Sequence, residues 1–229
     1  MIKIVSFKIC PFVQRVTAAL ESKQIPYEIE YISLSDKPQW FLDVSPNGQV
    51  PLLLTESGQA LFESDAIIEY IDDEFGPLEQ LSNEQKALDR AWAYLGAKQY
   101  MPQCGTMRSK TKDTLTEKVA NLGKAFAKAE AQLTTGPFFK GEQLSKVDIA
   151  WLPVLHRAHI IKAHTCFDML AGFPKVQAWQ QALLATGLVE KSVADDFEAA
   201  FTGFYLSDET YLGKGEDCKE NQSCGTNCC

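Results

Sequence analysis

The sequence predicts a small α/β layer followed by an all-helical half, and three observations carry that prediction. Residues 2–7 form an apolar run, whereas from Phe12 the apolar residues Phe12, Val13, Val16, Ala19 and Leu20 recur at helical spacing. Tyr27, Ile29 and Tyr31 then alternate with Glu28 and Glu30, so strand, helix and strand follow one another with a connection that implies parallel pairing. Beyond Gly76-Pro77 alternation disappears and only helical periodicity remains.

Each element has a local reason. Pro11 suits the first turn of a helix, where no backbone N–H is needed and φ is already set. Ile25-Pro26 closes that helix. Ser35-Asp36-Lys37-Pro38-Gln39-Trp40-Phe41-Leu42 reads as a turn followed by one short helical segment. Ser45-Pro46-Asn47-Gly48 is another turn, Val50-Pro51-Leu52-Leu53-Leu54 a strand entered through its proline, and Ala60–Phe62 its hairpin return. Ser64 is expected to cap a helix with Ile67, Ile68, Ile71 and Phe75 as its apolar stripe. The first domain is therefore placed at 1–76 and a helical domain at 83–212.

In the second half, Ala87, Leu88, Ala91, Trp92 and Leu95 begin one helix that runs toward Met101-Pro102. Leu115, Val119, Leu122, Phe126, Ala129 and Leu133 form the most regular stripe, broken by Gly136-Pro137. Ser145-Lys146-Val147-Asp148 has the form of a capping box, with Leu144 and Ile149 placed as a staple. The helix behind it is apolar around much of its circumference, which predicts a buried central helix. Pro174 opens another helix, and Val189, Val193, Phe197, Phe201 and Phe204 predict a last one. The stretch 213–229 has no apolar stripe and is expected to be a mobile tail carrying Cys218, Cys224, Cys228 and Cys229.

Composition bounds the function. A net charge of −8 argues against nucleic acid or an anionic membrane as partner. No apolar run reaches the roughly 20 residues that span a bilayer. No cleavable leader is expected at the N-terminus, and a cytoplasmic location follows. Seven cysteines, four of them crowded at the C-terminal end, do not make a disulfide framework for the fold.

Cys10 falls at or just before a helix N-terminus, where free N–H groups and the positive dipole end stabilise a thiolate. Lys8 and Arg15 lie near it in sequence. A small buried cysteine at a strand–helix junction fits the same residues. His156, His159 and His164 with Cys166 lack the spacing of a zinc site, so no metal is expected and the histidines read as helix-surface residues. Trp92, Tyr94, Tyr100, Met101 and Cys104 are placed either to wall a second-substrate site between the two halves or to pack the core.

Cys10-Pro11-Phe12, Val50-Pro51, Glu63-Ser64 and the Ser145–Asp148 box, in this order ahead of a helical half, resemble the cytosolic glutathione transferases. Cys10-Pro11-Phe12 and Asp36-Lys37-Pro38-Gln39-Trp40-Phe41 are similar to the omega class and the plant dehydroascorbate reductases. The resemblance implies a thioredoxin-like first domain and glutathione as co-substrate. Cys10 is then the catalytic residue, and Phe12, Lys37, Val50, Pro51, Glu63 and Ser64 bind glutathione. Glu63 would meet the ammonium of the γ-glutamyl group, Ser64 its carboxylate, and Lys37 the glycyl carboxylate. Val50 would take the cysteinyl backbone, next to a cis Pro51. The partner substrate would be a small electrophile or disulfide, and the assembly a homodimer.

Position 13 is decisive for the chemistry. A dithiol oxidoreductase needs a second cysteine three residues after the first, and Val13 stands there. Cys10 therefore needs an external thiol, which glutathione supplies. The expected activity is glutathione-dependent thiol transfer or reduction. The rivals are a conjugating transferase and a non-catalytic binding module of the same fold.

Overall fold

The computed structural model describes residues 1–215. Strand β1 (Ile2–Ser6), helix α1 (Pro11–Ser22), strand β2 (Tyr27–Tyr31), helix α2 (Gln39–Val44), strands β3 (Leu52–Leu54) and β4 (Ala60–Phe62), and helix α3 (Ser64–Phe75) form the first layer structure. The sheet order is β2-β1-β3-β4. β1 and β2 pair in parallel with Ile2 opposite Tyr27. β3 runs antiparallel to β1, with Val5 opposite Leu52, and β4 antiparallel to β3, with Leu52 opposite Phe62. Strand polarity decides where the chemistry can sit: the C-terminal end of β1, the N-terminal end of β3 and the C-terminal end of β4 all open on one edge.

The two faces of the sheet are filled differently. Ile2, Ile4 and Leu53 pack under α1 and α3, whereas Val5 and Leu52 join Phe41 of α2 in a smaller cluster. The period-two alternation of a strand sends successive side chains to opposite faces, which separates these two sets.

The helical half comprises α4 (Asn83–Ala97), α5 (Tyr100–Met107), α6 (Lys112–Gln132), α7 (Lys146–His164), α8 (Pro174–Ala185), α9 (Leu188–Lys191) and α10 (Phe197–Tyr205). α7 is its axis. Val147, Ile149, Trp151, Leu152, Val154, Leu155 and Ile161 are all buried, as the all-round apolar sequence requires. α7 packs closest on α4 at Gly96, where an added Cβ would stand 2.7 Å from the Trp151 indole. The same apolar cluster runs from Ile4 and Leu20 through Ile71 into Tyr100, Trp151 and Leu155, so the halves share one core. Ion pairs reinforce the junction: Lys146 meets Glu69 at 3.0 Å and Asp72 at 2.5 Å, and Arg90 meets Glu69 at 2.7 Å.

Several sequence expectations need correction. Two helices, not one, span residues 83–107, with the break at Lys98 and Gln99. Pro102 explains it: proline cannot donate to the carbonyl four residues back, at Lys98, and its ring clashes with that carbonyl. The stripe from Val189 to Phe204 is likewise divided between α9 and α10, and Phe204 is exposed. Phe75 does not complete the α3 stripe, being 45% exposed. Residues 213–215 continue a turn anchored by the buried Tyr211 and Leu212, with Tyr211 N–H donating to Ser109 O at 2.8 Å. The mobile tail expected from Gly213 therefore does not begin there, and Cys218, Cys224, Cys228 and Cys229 lie outside the described residues.

Candidate functional site

The residues singled out in the first half converge on that one edge of the sheet. Cys10 follows the end of β1 and stands at the N-cap of α1, with Pro11 as the first helical residue. Its N–H donates to Phe7 O at 2.9 Å, and its carbonyl accepts from Gln14 N–H at 3.1 Å. The thiol is half-buried, and the N–H groups of Val13 and Phe12 donate to its sulfur. Across the edge, the Val50–Pro51 peptide bond is cis, immediately before β3. Glu63 and Ser64 follow β4 at the start of α3.

A side-chain relay ties the outer residues together. Lys37 Nζ donates to Gly48 O at 2.8 Å, and Asn47 Nδ2 donates to Glu63 Oε1 at 3.0 Å. Asn47 was legible in the sequence only as a turn residue. Glu63 has φ +66°, in the left-handed region that side chains other than Gly and Asn rarely occupy. Such backbone costs about 1–3 kcal/mol and persists where the surroundings enforce it, often at ligand clamps. Ser64 is not the cap of α3 but its first residue; Glu63 holds the cap position, and Ser64 is nearly buried. The acid was not read as a cap because its backbone conformation is invisible in the sequence.

Cys10 does not emerge as a simple low-pKa thiolate. Burial is the largest influence and pushes the thiol up from its ordinary value. The Val13 and Phe12 N–H groups and the Arg157 guanidinium pull the other way without outweighing it. Helix-end donors alone, the argument available from sequence, left out this desolvation.

Beneath Cys10 lies a buried polar cluster that sequence reasoning missed. Arg157 of α7 is fully buried; its Nη2 donates to Ile9 O at 3.0 Å, and its Nη1 to Gln14 Oε1 at 2.5 Å and Pro153 O at 2.9 Å. Its Nε has no hydrogen-bond partner, and among the described residues no carboxylate forms an ion pair with it. The guanidinium also stands over the Phe197 ring, 5.4 Å from the centroid. Neighbouring His156 is buried as well, with Nδ1 2.9 Å from Gln14 Nε2 and its ring stacked on Phe197. The surface placement expected for this histidine is thus wrong: α7 is buried on the face that meets α1. His164 does lie at the surface, paired with Glu198 at 2.5 Å. Among the described residues no group of His, Cys, Asp and Glu could hold a metal.

Burial, and secondarily Arg157, holds the His156 pKa well below 6.5. The unfolded chain therefore takes up a proton first as pH falls through 6.5, and stability is lost below that point. The expected slope is about 1.4 kcal/mol per pH unit. Thermal melts at pH 7.5 and about pH 5.5 should show a drop in the wild type that His156→Gln flattens. Equal slopes in the two proteins would move the acid sensitivity to another group.

The residues considered as walls of a second-substrate site divide. Tyr100 is core, its hydroxyl bonded to Ala150 O and its ring 5.0 Å from that of Phe12. Cys104 is buried, Trp92 packs on Phe139, and only Tyr94 and Met101 are well exposed. A cavity of about 120 Å³ does open between the halves, lined by Arg15, Lys23, Glu69, Asp72, Arg90 and Lys146 among others. It lies among the interdomain ion pairs and includes none of Cys10, Lys37, Val50, Glu63 and Ser64. Arg15, beside the cavity, is bonded to Asp65 of α3, next to Ser64.

Residues 9–74 match the family model for the glutathione S-transferase N-terminal domain, and residues 112–182 that for the C-terminal domain. The chain is 34% identical over 157 residues to glutathione S-transferase DHAR2 of Arabidopsis thaliana, covering 68% of this chain and 70% of the relative. It is 29% identical over 188 residues to glutathione S-transferase omega-1 of Sus scrofa, covering 80% and 77%. Rice relatives of the DHAR kind are named as cytosolic and as chloroplastic. The crystal structure of glutathione transferase Omega 3C from Trametes versicolor superposes with a TM-score of 0.73 at 28% identity, covering 85% of this chain and 89% of that one. Two matched domains in the right order, relatives spanning most of their own length, and a shared thioredoxin-like-plus-helical fold lead to one conclusion: this chain belongs to the glutathione S-transferase family.

Proposed function

We propose that the protein is a glutathione-dependent thiol transferase and reductase, acting on dehydroascorbate or on glutathione mixed disulfides through Cys10. The observation that carries this reading is a free Cys10 thiol at the start of α1, its sulfur met by two backbone N–H groups, with Val13 where a second thiol would stand. With a glutathione mixed disulfide as substrate, the Cys10 thiolate attacks its glutathione sulfur. The Cys10–glutathione bond forms, and the substrate thiol leaves with the electron pair and takes a proton. A second glutathione attacks the bound glutathione sulfur, releasing glutathione disulfide and restoring the thiolate.

The 1–76 layer holds glutathione in this reading. Val50 and Pro51 present a strand edge to the cysteinyl backbone, and Phe12 flanks the sulfur. Glu63 meets the γ-glutamyl ammonium, and Ser64 and the free N–H groups of α3 meet its carboxylate. Lys37 meets the glycyl carboxylate. The relay from Lys37 through Gly48 and Asn47 to Glu63 supports this division, because it fixes the two charged ends of the cradle relative to each other. The 83–212 helices supply the second-substrate side. A cytoplasmic homodimer completes the reading; among the described residues no helix is long and apolar enough to cross a membrane.

Parallel assays decide between chemistries. Reduction of dehydroascorbate and of a glutathione mixed disulfide should exceed conjugation of an aryl halide by at least about a hundredfold in kcat/KM. The reverse ratio makes the protein a conjugating transferase. No retention on immobilised glutathione makes it a binding module for something else.

A further inference from the structure

Val13 deprives Cys10 of a second thiol along its own helix, but the fold brings one from α5. Cys10 and Cys104 are both free cysteines. The Phe12–Tyr100 ring contact, 5.0 Å between centroids, sets the start of α5 against the start of α1. Cys104 lies one helical turn beyond Tyr100 on the same face, and it is buried. Gln103 Nε2, donating to Val154 O at 2.8 Å, pins this turn of α5 to α7. One turn further along α7, Arg157 reaches Ile9 O, the carbonyl next to Cys10.

Arg157 adds a buried charge to this pair of thiols. Its guanidinium is fully buried, its Nε is unpartnered, and no carboxylate among the described residues neutralises it. Leaving a permanent cation buried without a counter-charge is costly. The groups that can supply negative charge around it are the Cys104 and Cys10 thiols, followed by Tyr205 and Tyr100. The Tyr205 side chain is in turn hydrogen-bonded to Cys104. Cys104 adds to the upward pull on the Cys10 pKa, and the Arg157 cation opposes it.

We infer that Cys104 is a second redox thiol of this site, which displaces glutathione from the Cys10 mixed disulfide to give an internal Cys10–Cys104 disulfide. The inference rests on Cys10 as the glutathione-accepting thiol. The Cys104 thiolate attacks the Cys10 sulfur, and the Cys10–glutathione bond breaks. The electron pair leaves with the glutathione sulfur, which takes up the proton lost by Cys104. The exchange consumes no oxidant: one disulfide is traded for another. Fresh glutathione reverses it by attacking the Cys10 sulfur, so the internal disulfide stores the oxidised site when glutathione is scarce and protects Cys10 from further oxidation.

The test uses the full reduced chain and a small excess of glutathione disulfide, followed by acid quench, alkylation and peptide mapping. In the wild type the expected product is a linked Cys10–Cys104 peptide pair, with two glutathione thiols released per chain and none retained. In Cys104→Ser and in Cys104→Ala, Cys10 should hold one glutathione and one thiol should be released. A wild type that keeps glutathione on Cys10 as stably as both variants overturns the inference and leaves the thiol transferase reading intact. Linkage of Cys10 to Cys218, Cys224, Cys228 or Cys229 in place of Cys104 also overturns it. An unmodified Cys10 in all three chains overturns the inference and the reading together.

Discussion

Cys10→Ser is expected to lower glutathione-dependent reduction by at least about a thousandfold while changing glutathione affinity by no more than a few-fold. Serine cannot form the sulfur–sulfur bond that the first step requires, and its hydroxyl is not appreciably ionised near neutral pH. The local fold survives, because the bonds that place residue 10 run from its backbone to Phe7 and from Gln14 to its carbonyl, and serine is a favoured N-cap. The charged and backbone groups proposed to hold glutathione lie away from residue 10: Lys37 precedes α2, Val50 precedes β3, and Glu63 and Ser64 stand at the start of α3. Mixed-disulfide turnover and titration calorimetry with glutathione, run on the same preparation, separate the two effects. Retained turnover in the variant would remove Cys10 from the chemistry altogether.

The largest effect on stability should come from Asp148→Ala, at about 3–5 kcal/mol, lowering the melting temperature by roughly 10 °C. Asp148 is buried at the start of α7, where Oδ2 accepts from Ser145 N–H and Oγ at 2.8 and 2.6 Å. Oδ1 accepts from Phe139 N–H at 2.8 Å and from Trp179 Nε1 at 2.7 Å. Alanine leaves all of these donors without a partner in a dry interior, each costing about 1–3 kcal/mol before relaxation. It also deprives the central helix of the acid at its positive end. Asp148→Asn keeps one acceptor oxygen and should lose about half as much. Burial pushes the Asp148 carboxyl up, and the hydrogen bonds only partly offset it, so the neutral amide is not penalised for lost charge. Urea unfolding of the three proteins measures the order, and an alanine variant as stable as the wild type would reduce Asp148 to a surface-like cap.

Much of the architecture was legible because it depends on short-range pattern. The alternation of Tyr27, Ile29 and Tyr31, the proline at the first turn of α1, and the Ser145–Asp148 spacing each encode a local geometry that the packing then uses. The misreadings arose where a long-range partner decides. Pro102 looked like a helix stop, but with its missing N–H and ring clash displaced back by one turn the break falls at Lys98 and Gln99. His156 and Arg157 are polar residues in an apolar helix, and nothing in the helix itself tells whether they face water or Gln14. Phe75 keeps the spacing of its stripe, yet the core ends at Ile71 and the ring stays exposed. Of the candidate site, Cys10, Val50-Pro51 and Glu63-Ser64 were recognisable as a set, whereas Asn47, Arg157 and the strained backbone of Glu63 were not, because each owes its role to a neighbour brought close only by folding.

The reach of Arg157 constrains how such a chain can change over evolutionary time. Its Nη2 satisfies the Ile9 carbonyl and its Nη1 the Gln14 side chain, so a residue contributed by the second half completes the hydrogen bonding of the strand–helix turn that carries Cys10. The two halves are therefore poor candidates for free exchange with those of distant relatives. A recombinant that keeps the N-terminal half but imports a central helix without this arginine would inherit the cysteine together with an unmet carbonyl and a buried amide behind it. Recombination is expected to succeed only where Gln14 and Arg157 travel as a pair, making a contact across the domain boundary the unit of inheritance.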